Sequence, residues 1–246
     1  MDIMIQIMVD GTSTPPTRPL HALIFDLDGT LVDSLDDICN ALNSGLRTMH
    51  RSPAPRDSVR EWVGDGLPTL CRRAWPDASN DALSRLTETA QTAYHAACVV
   101  HTRPYDNILK LLDLLIAEGI ALAVLSNKPH ELACRVIDEL DLRRYFQDVR
   151  GYVSEDEKKP SPQVALNMAR RLGVPPDRVG LVGDSIVDIL TARNGGMKSI
   201  AVTWGFQPAS MLASEMPDWL VSRPMEIFVV AAGRRAQMGD SGGAAR

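Results

Sequence analysis

The sequence predicts an α/β fold, a doubly wound parallel sheet carrying an inserted, all-helical cap. Three observations predict it. Short apolar runs, each followed at once by polar residues, alternate with helical periods from Arg103 to Val221, and repeated α–β units of that kind build a parallel sheet. Residues 33–102, directly after the first apolar run, carry helical periods and nothing that reads as a strand. The chain has 246 residues, 45% hydrophobic and 23% charged, which is enough for a sizeable core.

The elements follow in order. Met1 to Asp10 and the breaker-rich residues 11–19 read as a loose extension, 1–19. Its opening is apolar but holds Asp2, lacks a basic flank and shows no small-residue cleavage pattern, so it does not read as a signal peptide. No stretch approaches the ~18 apolar residues of a membrane span, so a cytoplasmic protein with no membrane partner is expected. The core comprises 20–32 and 103–231, and its first strand is Ala22-Leu23-Ile24-Phe25.

The cap, 33–102, opens with a helix whose stripe is Leu35, Ile38, Leu42, Leu46 and Met49. Ser34 with Asp37 resembles a capping box at its start, and the Pro-rich 51–55 ends it. Further cap helices are expected near 57–62, at 67–74 and at 80–99. In the core, helix 108–117 stops at Gly119, then come strand 120–125, helix 130–140, strand 148–153 and helix 163–172. Strand 179–182, helix 186–193, strand 199–202 and an edge strand at 219–221 complete it. The Gly-, Ala- and Ser-rich 232–246 reads as a disordered tail.

The net charge of −5 and pI near 5.5 argue against a nucleic-acid partner, which would want a basic face. An anionic small molecule stays open, because a metal and one Lys supply local positive charge. Cys39, Cys71, Cys98 and Cys134 are scattered, so neither a zinc site nor a disulfide framework is indicated.

Four polar clusters stand directly after four apolar segments: Asp26/Asp28, Ser126/Asn127, Lys159 and Asp184/Asp188. In a parallel sheet such strand ends converge on one edge. Alternation points Asp26 and Asp28 the same way, and two close carboxylates call for a cation or a shared proton. The set suits a divalent cation and a phosphate. Magnesium takes oxygen ligands, which Asp26 and Asp184 would supply. Lys159 and the Ser126 hydroxyl would hold phosphoryl oxygens, Asp26 could attack phosphorus, and Asp28 could protonate the leaving alkoxide. From the residues alone, Lys158 competes with Lys159, and Asp188 is either part of the site or a surface helix residue.

The motifs Asp26-Leu27-Asp28-Gly29-Thr30, Ser126-Asn127-Lys128, Lys159-Pro160 and Gly183-Asp184-Ser185 with Asp188 resemble the haloacid dehalogenase superfamily of phosphatases. The resemblance runs from about Leu20 to Val221. It implies a Rossmann-like core with a mobile cap, an Asp26 nucleophile and an Asp28 acid/base. It also implies Mg²⁺ on Asp26, the Asp28 backbone carbonyl and Asp184, and phosphate held by Ser126, Asn127 and Lys159, the lysine directly before Pro160. Asp188 would support the metal ligands from behind.

Within the superfamily, the chain looks most like phosphoglycolate phosphatases. Asp33-Ser34, Val63-Gly64-Asp65-Gly66 with Leu70, and the run Gly183 to Leu190 carry that likeness. It departs at Tyr105-Asp106-Asn107, where that family usually shows Pro-Gly. The loop Gly64, Asp65, Gly66 is expected to reach the substrate, since glycine permits a close approach. Arg72 and Arg73 read as a solvated helix face, and Trp62 and Trp75 as cap core. The expected partner is a small phosphorylated metabolite, 2-phosphoglycolate first, with a monomer or a homodimer both open. Alternatives are another small phosphate (sugar or amino-sugar phosphate, pyrophosphate, nucleotide) or a phosphosugar mutase of the same fold.

Overall fold

The computed structural model describes residues 19–233. The expected N-terminal extension, up to residue 18, and the tail from 234 on lie outside the described residues. The first strand, β1 (Ala22–Phe25), leads to a two-residue strand, β2 (Val32–Asp33). Four helices follow: α1 (Leu35–Thr48), α2 (Arg56–Trp62), α3 (Leu67–Ala74) and α4 (Asn80–Ala96). The chain returns through β3 (Arg103–Pro104), which pairs antiparallel with β2. Two residues per strand are too few to show a period, so sequence reading found neither β2 nor β3.

Alternating units then build the core. They are α5 (Ile108–Ala117), β4 (Ala121–Pro129), α6 (His130–Glu139), β5 (Asp148–Tyr152), α7 (Gln163–Arg171), β6 (Val179–Gly183), α8 (Ile186–Asn194), β7 (Lys198–Val202), α9 (Ala209–Ser214), β8 (Trp219–Val221) and α10 (Pro224–Ala231). The main sheet has the order β5-β4-β1-β6-β7-β8, and every pairing in it is parallel. Both faces are covered. Leu23 and Phe25 pack into one apolar cluster with Leu111, Val136 and Ile227, while Ala22 and Ile24 pack into another with Ala165, Met168 and Ala192. A strand buried on two faces is apolar at every position, which is why these strands read as continuous runs.

The four inserted helices share a cluster of their own, built on Leu35, Leu42, Leu46, Val59, Leu70 and Leu86. Phe206, which follows β7, joins it from the core side. Trp62 and Trp75 pack against the same cluster. Arg72 donates to the Ala78 carbonyl, and Arg73 to the Trp62 carbonyl and to Asp65.

The Ser34/Asp37 capping box does not form. Ser34 Oγ instead donates to Asp28 Oδ1 at 2.6 Å. Asp37 turns to the far end of the insert, where it accepts the backbone N–H groups of Val100, His101 and Thr102 and the Thr102 hydroxyl. A carboxylate gains more from several converging donors than from one cap contact, and these bonds hold its pKa below the ordinary value although burial pushes the other way. Asn107 has φ 67°, the left-handed region that Asn tolerates better than most residues. Among the described residues no helix is long and apolar enough to cross a membrane. Helices α9 and α10 escaped sequence reading: α9 is a short segment, and the run from Ile227 to Ala231 is apolar all round and shows no period.

Candidate active site

The strand order β4-β1-β6 sets three carboxyl ends side by side. The chain leaves β1 toward β4 and β5 and later crosses back to β6, so this is a topological switch point, where open α/β sheets bind ligands. Asp26 follows β1, Ser126 and Asn127 lie late in β4, and Asp184 follows β6. Strand β4 runs further than expected, through Pro129, with a register shift between Ser126 and Pro129.

These side chains meet. The carboxylates of Asp26, Asp184 and Asp188 each place an oxygen within 4.8 Å of the others. Lys159 Nζ lies between two of them, 2.8 Å from Asp26 Oδ1 and 2.6 Å from Asp188 Oδ1. Asp26 Oδ1 also accepts the Leu27 N–H at 2.7 Å. Asp184 accepts from the Thr30 hydroxyl at 3.0 Å and from the Phe206 N–H at 2.7 Å. Asp188 is buried: it caps α8 through the Ser185 N–H and hydroxyl while its other oxygen holds Lys159. Lys158 points elsewhere, to Glu155 and over the Tyr152 ring.

Asn127 lines the cavity beside Ser126, and its side chain also holds the Lys159 segment. Its side-chain oxygen accepts the Lys159 N–H at 2.8 Å and its amide donates to the Lys159 carbonyl at 3.1 Å, a two-point clamp on the backbone that carries the lysine. Ser126 is buried and lines the cavity, its Oγ accepting the Lys128 N–H at 3.3 Å. Asp28 lies on the same wall, with Lys128 Nζ 2.7 and 2.8 Å from its two oxygens. Of the loop in the insert, Gly64 and Gly66 line the cavity, whereas Asp65 turns to Arg73 at 2.5 Å. The cavity between insert and core measures about 120 Å³.

Charge balance explains the electrostatics. Burial pushes Asp26 up to about 6, with Lys159 opposing it and Asp188 adding to it. Burial, then the neighbouring charges of Asp26 and Asp188, push Asp184 up to about 8. Burial works against the Lys159 ammonium, but Asp188 and Asp26 outweigh it and hold it above the ordinary lysine value. A single ammonium therefore faces the three carboxylates. An all-oxygen set with surplus negative charge fits a hard divalent cation.

An expected pH dependence follows. With the folded pKa values of Asp26 and Asp184 raised, the metal-free folded state binds more protons than the unfolded chain between the two sets of values. Its stability then falls as pH rises from about 4 through about 8. Thermal melts in a chelator should show a lower Tm near pH 8 than near pH 5, with Mg²⁺ restoring more at the higher pH, by on the order of a few kcal/mol.

Lys128, Thr30, Gly205 and Phe206 were not read from the sequence as site residues. Gly205 is required by close approach: a Cβ there would overlap the Asp184 side chain and the Gly29 carbonyl oxygen. Gly205→Ala is expected to displace Asp184 and weaken divalent-ion binding by roughly 10–100-fold, read from a Mg²⁺ titration of Tm. No sequence signal marks this glycine, because its neighbours in space, Asp184 and Gly29, are distant in the chain, as the partners of the Phe206–Asp184 bond are.

Comparison with known proteins gives a consistent picture. The family model described as haloacid dehalogenase-like hydrolase matches residues 23–202. The phosphoglycolate phosphatase of Aquifex aeolicus (strain VF5) is 34% identical over 208 residues, 85% of this chain and 95% of that protein. The phosphoglycolate phosphatase of Neisseria meningitidis serogroup A is 36% identical over 219 residues, 85% of this chain and 92% of that protein. A crystal structure of a predicted phosphoglycolate phosphatase from Haemophilus somnus 129pt superposes with TM-score 0.80 at 28% identity, covering 87% of this chain and 99% of that one.

Proposed function

The chain belongs to the haloacid dehalogenase-like hydrolase family, and from that premise we propose that it is a Mg²⁺-dependent phosphoric monoester hydrolase that converts 2-phosphoglycolate to glycolate and phosphate. The observation that carries the reading is the buried cluster of Asp26, Asp184 and Asp188 around one lysine, at the switch point of the sheet and open to a small cavity. The cavity is well below the ~300–1,000 Å³ of sites for drug-sized ligands, which suits a small metabolite. The relatives' names point to the same substrate.

The residues divide the work as follows. The Asp26 carboxylate attacks phosphorus, its O–P bond forms as the bond to the leaving oxygen breaks, and an aspartyl-phosphate results. Asp28 gives a proton to the departing glycolate oxygen. It then takes one from the water that attacks the aspartyl-phosphate, releasing phosphate and restoring Asp26. Lys159 and Ser126 hold phosphoryl oxygens, and Asn127 fixes the lysine's backbone. Asp26, Asp184 and the Asp28 backbone carbonyl would hold magnesium, with Asp188 anchoring Lys159 beside them. A divalent ion held there would supply the positive charge that offsets the phosphate dianion against the Asp26 carboxylate. The helical insert, 33–102, acts as a cap that excludes water.

A phosphate-release screen over small phosphomonoesters, with and without Mg²⁺, tests this. The expected result is metal-dependent turnover with 2-phosphoglycolate preferred in kcat/KM. A wide preference for a hexose or amino-sugar phosphate would overturn the substrate, and full turnover in chelator would overturn the metal.

A further inference from the structure

We propose that Tyr94 of the insert and Lys128 of the core form a subsite for a carboxylate on the leaving group, a role that rests on reading the site as a phosphomonoesterase. Thr87, Gln91 and Tyr94 recur at helical spacing along α4 and line the same cavity as Asp26 and Asp28. Tyr94 is only 6% exposed. Its hydroxyl accepts a hydrogen bond from Lys128 Nζ at 2.7 Å, and its own proton has no acceptor among the described residues. Buried hydroxyl donors are normally satisfied, so this one, on the cavity wall, is left for a ligand.

Lys128 supplies the charge. On the cavity wall it stands against both Asp28 and Tyr94. It is 6% exposed, and Asp28 and Tyr94 hold its ammonium in place. Spacing gives the chemistry. Asp28 acts at the leaving oxygen, and Lys128 touches Asp28 on one side and Tyr94 on the other. An anion that accepts the Tyr94 proton beside that ammonium therefore lies only a carbon or two beyond the leaving oxygen. A carboxylate in that place would accept the Tyr94 proton and lie against the Lys128 ammonium, whose own three protons are directed at Asp28 and the Tyr94 oxygen. The subsite thus selects short phosphorylated hydroxy acids over neutral phosphomonoesters, and it is complete only when the insert and the core are together.

Tyr94→Phe tests this, since it keeps the ring that Lys128 overlies at 4.7 Å and removes only the hydroxyl. With the Mg²⁺-loaded enzyme, kcat/KM is measured for 2-phosphoglycolate and for ethyl phosphate, which has the same carbon count and no carboxylate. Glycolate is titrated as a competitive inhibitor of ethyl phosphate turnover. The expected result is a roughly tenfold fall in the ratio of the two kcat/KM values, carried by KM, and a matching rise in the glycolate Ki, the size of one lost bond to a charged group. An equal loss on both substrates with an unchanged Ki assigns Tyr94 to positioning Asp28 and overturns the subsite. An unchanged ratio and Ki overturn it as well. If the wild type prefers a different phosphomonoester, the substrate assignment falls, while a glycolate Ki that still rises in Tyr94→Phe upholds the subsite.

Discussion

Asp26→Asn is expected to abolish phosphate release while leaving the fold intact, and to make the metal-free protein more stable. The amide is nearly isosteric, and its oxygen can still accept the Leu27 N–H and the Lys159 ammonium that Oδ1 accepts now. What it loses is the negative charge and the nucleophilic oxygen. Loss of a covalent nucleophile costs on the order of 10⁴–10⁶-fold in turnover. The charge leaves a crowded place, since burial and the neighbouring Asp188 already push this carboxyl up to about 6. Its removal also relieves Asp184, whose second-largest burden is the Asp26 charge. Two readouts should therefore diverge. Phosphate release falls to background, and the Tm in chelator near pH 8 rises above that of the wild type. A variant that loses activity and stability together would mean that the carboxylate is structural, and undiminished turnover would remove Asp26 as the nucleophile.

That split between chemistry and stability also marks how far the sequence could be read. The strands β1, β4 and β6 were legible because each is buried on both faces and so carries a short apolar run. The meeting of Asp26, Ser126 and Asp184 was legible because parallel strands put their carboxyl ends on one edge, whereas Lys159 lies well past β5 and is held at that edge by the Asn127 clamp on its backbone. Asp188 stood open between a buried and a surface role, and its two oxygens serve both a helix cap and Lys159. Other features depended on side-chain direction, which spacing does not carry. Ser34 reads as a helix cap by its neighbours in sequence, yet its hydroxyl is drawn to Asp28. Lys128 stands in the sequence only as the last residue of the Ser126-Asn127-Lys128 motif, and the packing of α4 over it reveals a buried ammonium. Asn127 entered as a phosphate-site residue by resemblance, and spacing does not show that its amide also clamps a segment 32 residues on. Gly205 and Phe206 follow a strand with no polar signal, and their contact with Asp184 exists only in three dimensions.

Lys158 and Lys159 are adjacent in the chain, and their substitution is expected to separate them sharply. Lys159 is almost fully buried between Asp26 and Asp188. Lys159→Met fills similar space but leaves two buried carboxylates without their counter-charge. Breaking a buried pair from one side costs about 3–5 kcal/mol. In a domain of this size each kcal/mol moves Tm by roughly 2–4 °C, so a fall on the order of 10 °C is expected near neutral pH. The loss should shrink as pH is lowered toward about 6, because Asp26 without the ammonium that opposes burial takes up its proton at a higher pH than in the wild type. Activity should fall by at least ~10²–10³-fold, as when a donor to developing charge is removed. Lys158 instead pairs with Glu155, whose side chain is 78% exposed, and such a pair contributes about 0–1 kcal/mol. Lys158→Met should shift Tm by no more than a few degrees. Equal destabilisation by the two variants would show that the charge between Asp26 and Asp188 does not hold the site together.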